Sequence, residues 1–321
     1  MDLDVLFIGT AGSAPSARRG LPATLVRRGG DRLLFDCGEG TQRQLLRSIG
    51  LLDLEEVFIT HFHADHFLGL PGLLKTFSLR GRETPLHVYG PPGLNALFAA
   101  LAPVVGKTGF DLDLVELEPG QELKRDGYAV ATFQVDHRVR AYGYALIEDE
   151  RPGRFDEARA RELGVQPGPD FGRLHAGETV TGSKGEVTPD QVVGPSRRGR
   201  KVVLTGDTAP SDMTKAVAHR ADLLVHEASF AEDGLDRARE TGHSTARAVA
   251  ELALAAEVEL LALTHVTPRY AGPELRDEAR AIFERTIVPR DFDRVEIPFP
   301  ERGPPVHVRA DDRRQPIPQS P

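Results

Sequence analysis

The segment His61-Phe62-His63-Ala64-Asp65-His66 gathers three imidazoles and a carboxylate into six residues. Imidazole nitrogen suits zinc, and a carboxylate oxygen beside it keeps such an ion hard enough to take water or phosphate. One metal needs three or four ligands, but these four groups leave the chain in different directions. The loop therefore reads as shared by two ions, with further ligands arriving from elsewhere. His137, Asp207 in Thr205-Gly206-Asp207-Thr208, and His265 are suited to supply them. Asp36, in Phe35-Asp36-Cys37-Gly38-Glu39-Gly40, could orient a ligand histidine through its second ring nitrogen.

Each of these residues must be carried by an element that fixes it. Short apolar runs predict strands at Asp4–Ile8, Ala23–Arg28, Arg32–Asp36, Glu56–Thr60, Leu86–Tyr89, Leu112–Leu117, Ala129–Asp136 and Ala141–Ile147. Later runs predict Lys201–Thr205, Asp222–His226 and Glu259–Thr264, interleaved with helices at Ser211–His219, Ser244–Ala256 and Pro273–Thr286. The His61–His66 loop, His137, Asp207 and His265 all follow the C-terminal ends of such strands, where α/β sheets place their ligands. Two mixed sheets face to face with helices outside satisfy both halves of the chain, an α/β fold of αββα four-layer sandwich type. Between Glu148 and Arg200 the apolar periodicity lapses, so residues 148–200 read as an inserted arm within a catalytic body spanning 1–308. Residues 309–321 read as a Pro-rich flexible tail.

Composition narrows the function further. The 321 residues are 40% hydrophobic and 27% charged, which fits a folded globular chain and excludes a disordered or fibrous one. Apolar runs such as Leu68–Leu74 fall far below the roughly 20 residues of a membrane span, so no membrane is expected. The acidic start Met1-Asp2-Leu3-Asp4 is unlike a signal peptide and points to the cytoplasm. Cys37 is the one cysteine, so neither an internal disulfide nor a thiolate cluster can form. A net charge of -8 argues against a chain wrapped in nucleic acid but leaves room for a local contact.

With these residues in place, the chain resembles the metallo-β-lactamase superfamily and, within it, the short-form ribonuclease Z family of tRNA 3'-processing endonucleases. The resemblance is carried by Phe7-Ile8-Gly9-Thr10-Ala11-Gly12-Ser13, Phe35-Asp36-Cys37-Gly38-Glu39-Gly40-Thr41-Gln42, and the His61–His66 loop continuing through Leu74. Asp136-His137-Arg138-Val139, Gly206-Asp207-Thr208, His226-Glu227-Ala228-Ser229-Phe230, Gly242-His243-Ser244-Thr245 and Thr264-His265 complete it, over about residues 1–300. Ser229 stands where the family commonly has Thr, which keeps the hydroxyl.

The resemblance implies two zinc ions per subunit. His61, His63 and His137 would hold one, Asp65, His66 and His265 the other, with Asp207 bridging and Asp65 doubling as proton acceptor. It assigns Glu227 and His243 to the catalytic transfer of a proton to the leaving ribose oxygen. It makes the insert an exosite for precursor tRNA, with Arg197-Arg198-Gly199-Arg200-Lys201 as its dense basic run. After His265, Arg269 would meet a phosphate and Tyr270 could stack on an unpaired base, with a surface arginine and a core tyrosine as the equal alternative. A homodimer is implied as well. The activity implied is zinc-dependent removal of 3' trailers, leaving a tRNA 3'-hydroxyl and a trailer 5'-phosphate. The alternatives are a phosphodiesterase of the same fold acting on small or cyclic phosphate esters and a catalytically dead RNA-binding scaffold. The second is disfavoured because every ligand position is filled. A redox di-metal protein would carry a carboxylate at position 63 and a flavin domain.

Overall fold

The computed structural model describes residues 1–51 and 54–310 and divides into two compact units. The larger takes Met1–Arg125, Val130–Leu146 and the chain from Arg200 onward; the smaller takes Asp126–Ala129 and Ile147–Gly199.

Two sheets form the larger unit. The first runs, in spatial order, through Val306–Val308, Arg294–Glu296, Leu3–Gly9, Ala23–Arg28, Asp31–Phe35, Glu56–Phe58, Leu86–Gly90 and Leu112–Glu116. It is antiparallel as far as Asp31–Phe35 and parallel from there on. The second runs through Thr286–Ile287, Leu261–Thr264, Leu223–Glu227, Lys201–Leu204, Tyr142–Glu148, Tyr128–Gln134 and Glu122–Arg125, and its first four strands are parallel.

Alternation along the strands decides what each face buries. Ile8, Leu34, Val57 and Val88 pack with Leu45, Leu70, Leu74 and Phe98 from the helices Thr41–Ser48, Gly69–Leu79 and Leu94–Val105. Their neighbours Phe35, Phe58 and Tyr89 turn to the opposite face and stack at centroid spacings of 4.9 and 4.8 Å. Tyr144 of the second sheet meets Phe58 edge-on at 5.2 Å, and its hydroxyl donates to the Ile59 carbonyl at 2.7 Å. Val203, Leu224, Leu261 and Leu263 pack with Ala218, Val249, Ala250 and Leu275 of the helices Asp212–Ala218, Ala246–Ala255 and Gly272–Arg280. The order is helix, sheet, sheet, helix. Each large apolar side chain so buried contributes about 1.5–3 kcal/mol. Among the described residues no helix is long and apolar enough to cross a membrane.

Most expected strands and helices differ from the observed ones by one or two residues at an end, and one helix differs by more. The helix expected at Pro273–Thr286 ends at Arg280, and Thr286 opens a strand. Arg280 Nε donates to the Thr286 carbonyl and the Thr286 hydroxyl to the Phe283 carbonyl, turning the chain back along the sheet. The expected tail falls mostly on residues 311–321, outside the described ones, while Ala310 N donates to Asp293 Oδ1 at 2.8 Å.

The smaller unit has its own core of Ala160, Val165, Leu174, Val180, Val187 and Val192. Helices Glu157–Glu162 and Pro169–His175 and the hairpin of Val180–Gly182 with Gly185–Val187 supply it. These helices have six and seven residues, too short to print an amphipathic period on the sequence.

Close backbone contact sets the His61–His66 loop on the larger unit. Cys37 N donates to the His66 carbonyl and Gly69 N to the Cys37 carbonyl. A Cβ on Gly38 would lie 2.3 Å from the Asp65 carbonyl oxygen, and one on Gly69 would lie 1.9 Å from that of Gly38. Gly69→Ala is therefore expected to cost about 1–3 kcal/mol through overpacking, read by urea denaturation. A denaturation curve superimposing on the wild type would contradict this.

Candidate metal centre

The strands deliver their ligands at one edge of the larger unit. Glu56–Phe58 leads into the His61–His66 loop, Tyr128–Gln134 into His137, Lys201–Leu204 into Asp207, and Leu261–Thr264 into His265. Asp36 and His265 hold left-handed backbone conformations with φ of 57° and 56°, uncommon for residues with a Cβ and characteristic of functional turns. Asp36 turns back to accept Thr60 N at 2.8 Å. A Cβ on Gly12 would come within 2.3 Å of the His265 ring, so only a glycine lets the Gly9–Ser13 loop cross it.

Two donor groups result. His61, His63, His137 and Asp207 offer ligand atoms all within 4.8 Å of one another, as do Asp65, His66 and His265. Asp207 also groups with His243 and His265. The Nδ1 atoms of the rings are engaged: His66 with Asp36 Oδ2 at 2.7 Å, His137 with the Gly242 carbonyl at 2.8 Å, and His265 with Ser229 Oγ at 2.8 Å. Three of the inward atoms are not. His61 Nε2, His66 Nε2 and Asp207 Oδ1 are buried without a hydrogen bond, although His66 Nε2 lies 3.2 Å from Asp207 Oδ1. Buried polar atoms left bare are costly, and lone pairs converging on one space fit a cation there.

Charge reinforces that fit. Burial, then the neighbouring His66, pushes the His61 imidazole well towards its neutral form. Burial opposes ionisation of Asp207 as well, yet His265 and His66 hold it well below the usual carboxylate range. The same contest at Asp65 is won by the neighbouring His265 and His66 rings. Neutral His61 beside ionised Asp207 has the protonation state that metal ligation requires, whereas at His66 the neighbouring Asp207 and Asp36 outweigh burial and hold the ring well above the usual imidazole range, where a cation would have to displace its proton. His63 is exposed and Asp65 and His137 are partly so, whereas His61, His66, Asp207 and His265 are buried, leaving one open side.

Glu227 and His243 stand on that open side. Glu227 is buried, and its Oε1 accepts His243 Nδ1 at 2.7 Å. Burial works against a charged imidazole, but the Glu227 bond outweighs it and raises His243 to about 9. His243 Nδ1 lies 4.0 Å from Asp207 Oδ2, so the pair adjoins the donor groups.

For Tyr270 the structure decides between the two readings. Tyr270 is buried in the core, and its hydroxyl donates to Asp233 Oδ1 at 2.8 Å, so its ring cannot stack on a base. Arg269 lies over the Phe230 ring at 5.4 Å. Arg200 is buried too, bonding the Ile297 and Met1 carbonyls and stacking on Phe299 at 4.1 Å, so the basic run 197–201 is no continuous RNA surface. Cys37 is buried, which pushes its thiol up to about 12.

Sequence reasoning assigned no role to Ser13, whose N–H donates to Asp65 Oδ2 at 2.8 Å. It also passed over Asp291, a buried carboxylate that accepts Thr10 Oγ1, Gly20 N and Gln44 Nε2 and so ties down the loop carrying Ser13. Thr10 and Gly12 lie in a stretch the resemblance had marked, but Asp291 has no neighbouring pattern in the sequence to announce it.

Comparison with known proteins defines the class. The model of the metallo-beta-lactamase superfamily matches residues 19–265. Ribonuclease Z of Natronomonas pharaonis is 49% identical over 307 residues, 94% of this chain and 100% of that protein. Ribonuclease Z of Gemmatimonas aurantiaca is 47% identical, covering 94% of this chain and 98% of its own. The crystal structure of human tRNase Z, short form, superposes with a TM-score of 0.68 at 28% identity, covering 92% of this chain and 99% of that one. The chain belongs to the metallo-beta-lactamase superfamily and, within it, to the ribonuclease Z family.

Asp36 holds the His66 ring with its bare nitrogen towards the donor groups, so it would set metal affinity without touching the ion. Asp36→Ala is expected to lower zinc affinity about 10- to 100-fold, measured by competition with a chromogenic chelator. Affinity equal to wild type would contradict that role.

Proposed function

We propose that this chain is a zinc-dependent endoribonuclease that removes 3' trailers from precursor tRNA. The observation that carries it is the Glu227–His243 pair beside two groups of metal donors, in a chain of the ribonuclease Z family. In this reading two zinc ions are held per chain, one by His61, His63 and His137, the other by Asp65, His66 and His265, with Asp207 shared. Bound zinc supplies Lewis-acid polarisation of water and phosphoryl oxygen.

The chain's own residues do the rest. Asp65, partly exposed and held by Ser13 N–H, accepts a proton from the attacking water. As the water oxygen bonds to phosphorus, the bond to the ribose 3'-oxygen breaks. His243 donates its Nε2 proton to that oxygen and keeps the Nδ1 proton that it shares with Glu227, whose carboxylate stabilises the ring while it is charged. The tRNA leaves with a 3'-hydroxyl and the trailer with a 5'-phosphate.

The smaller unit is proposed as an exosite gripping the tRNA away from the zinc ions, and the remaining parts of the reading are a homodimer and a cytoplasmic place of action. These rest on the family resemblance. His243→Ala should slow single-turnover cleavage of a trailer-bearing tRNA transcript about 10²- to 10⁴-fold at neutral pH, with zinc content unchanged. Both product ends are mapped. Cleavage at the wild-type rate would remove His243 from the mechanism, and an intact transcript with wild-type zinc-loaded protein would overturn the proposal.

A further inference from the structure

Two buried hydroxyls sit between carboxylates and imidazoles in the same arrangement. Thr60 Oγ1 lies 3.0 Å from both Asp36 oxygens and 3.0 Å from His61 Nδ1. Ser229 Oγ lies 2.8 Å from Glu227 Oε2 and 2.8 Å from His265 Nδ1. Thr60 and Ser229 are 1% and 2% exposed, so water does not compete for these bonds.

Proton counting fixes the direction of each chain of bonds. A hydroxyl has one hydrogen to give, and an ionised carboxylate can only accept. Glu227 Oε2 also accepts Ser229 N, and Asp36 Oδ1 also accepts Thr60 N, so both carboxylates already act as acceptors. Each hydroxyl therefore donates to its carboxylate and accepts from the histidine. That leaves the proton of His61 and of His265 on Nδ1 and the lone pair on Nε2. Those Nε2 atoms face the shared space: His265 Nε2 is 3.3 Å from Asp65 Oδ2 and from Asp207 Oδ1, and His61 Nε2 is 3.7 Å from Asp207 Oδ2, so in this tautomer a lone pair meets carboxylate oxygens and calls for a cation between them.

Each carboxylate also holds one imidazole directly, Asp36 with His66 and Glu227 with His243. We propose that Thr60 and Ser229 are positioning residues that extend each of these carboxylates to a second imidazole, fixing His61 and His265 in the ligating tautomer. Glu227 then serves two tasks: it supports the proton donor directly, and through Ser229 it supports a metal ligand. This rests on the reading of His61 and His265 as zinc ligands.

The test separates hydroxyl from shape. Thr60→Ser and Ser229→Thr keep the hydroxyl; Thr60→Val, Ser229→Val and the smaller Ser229→Ala remove it. Zinc binding to chelator-stripped, folded protein is measured for each by competition with a chromogenic chelator, alongside His61→Ala and His265→Ala. The hydroxyl-keeping variants should bind both equivalents within about twofold of wild type. The hydroxyl-less variants should each weaken one equivalent about 10- to 100-fold. In a His265→Ala background, Ser229→Ala should add no further loss, because its effect runs through that ring. If Ser229→Ala and Thr60→Val bind both equivalents as tightly as wild type while the histidine variants lose one, the proposal is overturned. If His61→Ala and His265→Ala also bind both equivalents tightly, the ligand reading fails and the proposal fails with it.

Discussion

The constraint on which this structure depends is a gathering of buried nitrogen and oxygen atoms that make no hydrogen bond. Asp207 Oδ1 and the Nε2 atoms of His61 and His66 meet in buried space, and none has a hydrogen bond. Leaving such atoms bare costs about 1–3 kcal/mol each. A cation removes that cost at one stroke, and it accounts for ionised carboxylates and a neutral imidazole standing side by side. The loops around the site hold this assembly together.

How they do so follows from the sheets. Stacked Phe35, Phe58 and Tyr89, met by Tyr144, fix the level at which the strands end. Beyond those ends the backbone turns sharply, through left-handed Asp36 and His265, and the turned residues reach back for their neighbours. Gly12, Gly38 and Gly69 allow one loop to lie against another where any side chain would collide. Carboxylates, hydroxyls and the Gly242 carbonyl then hold the Nδ1 atoms of His61, His66, His137 and His265, which settles the orientation of these rings. Pre-organisation of this kind gives both affinity and a defined charge pattern facing the substrate.

Much of this was legible in the residues. The His61–His66 loop is dense enough to announce itself, and isolated His137, Asp207 and His265 gained meaning from each following a predicted strand. What escaped was information that lies in the third dimension. Nothing near Tyr270 in sequence shows that its hydroxyl finds Asp233, nor does the run of arginines show that Arg200 is threaded into the core. The arm's order was hidden because its helices are too short to show a period, and its core draws on residues scattered from Ala160 to Val192. Ser229 was noticed as a variation of motif, but its place between Glu227 and His265 required coordinates.

The most direct measurement is an anomalous-difference map from zinc-loaded crystals, collected on both sides of the zinc absorption edge. Two peaks roughly 3.5–4 Å apart are expected, one among His61, His63 and His137 and one among Asp65, His66 and His265, with Asp207 between them. A fully ordered site without a peak, or zinc bound only elsewhere on the chain, would contradict it.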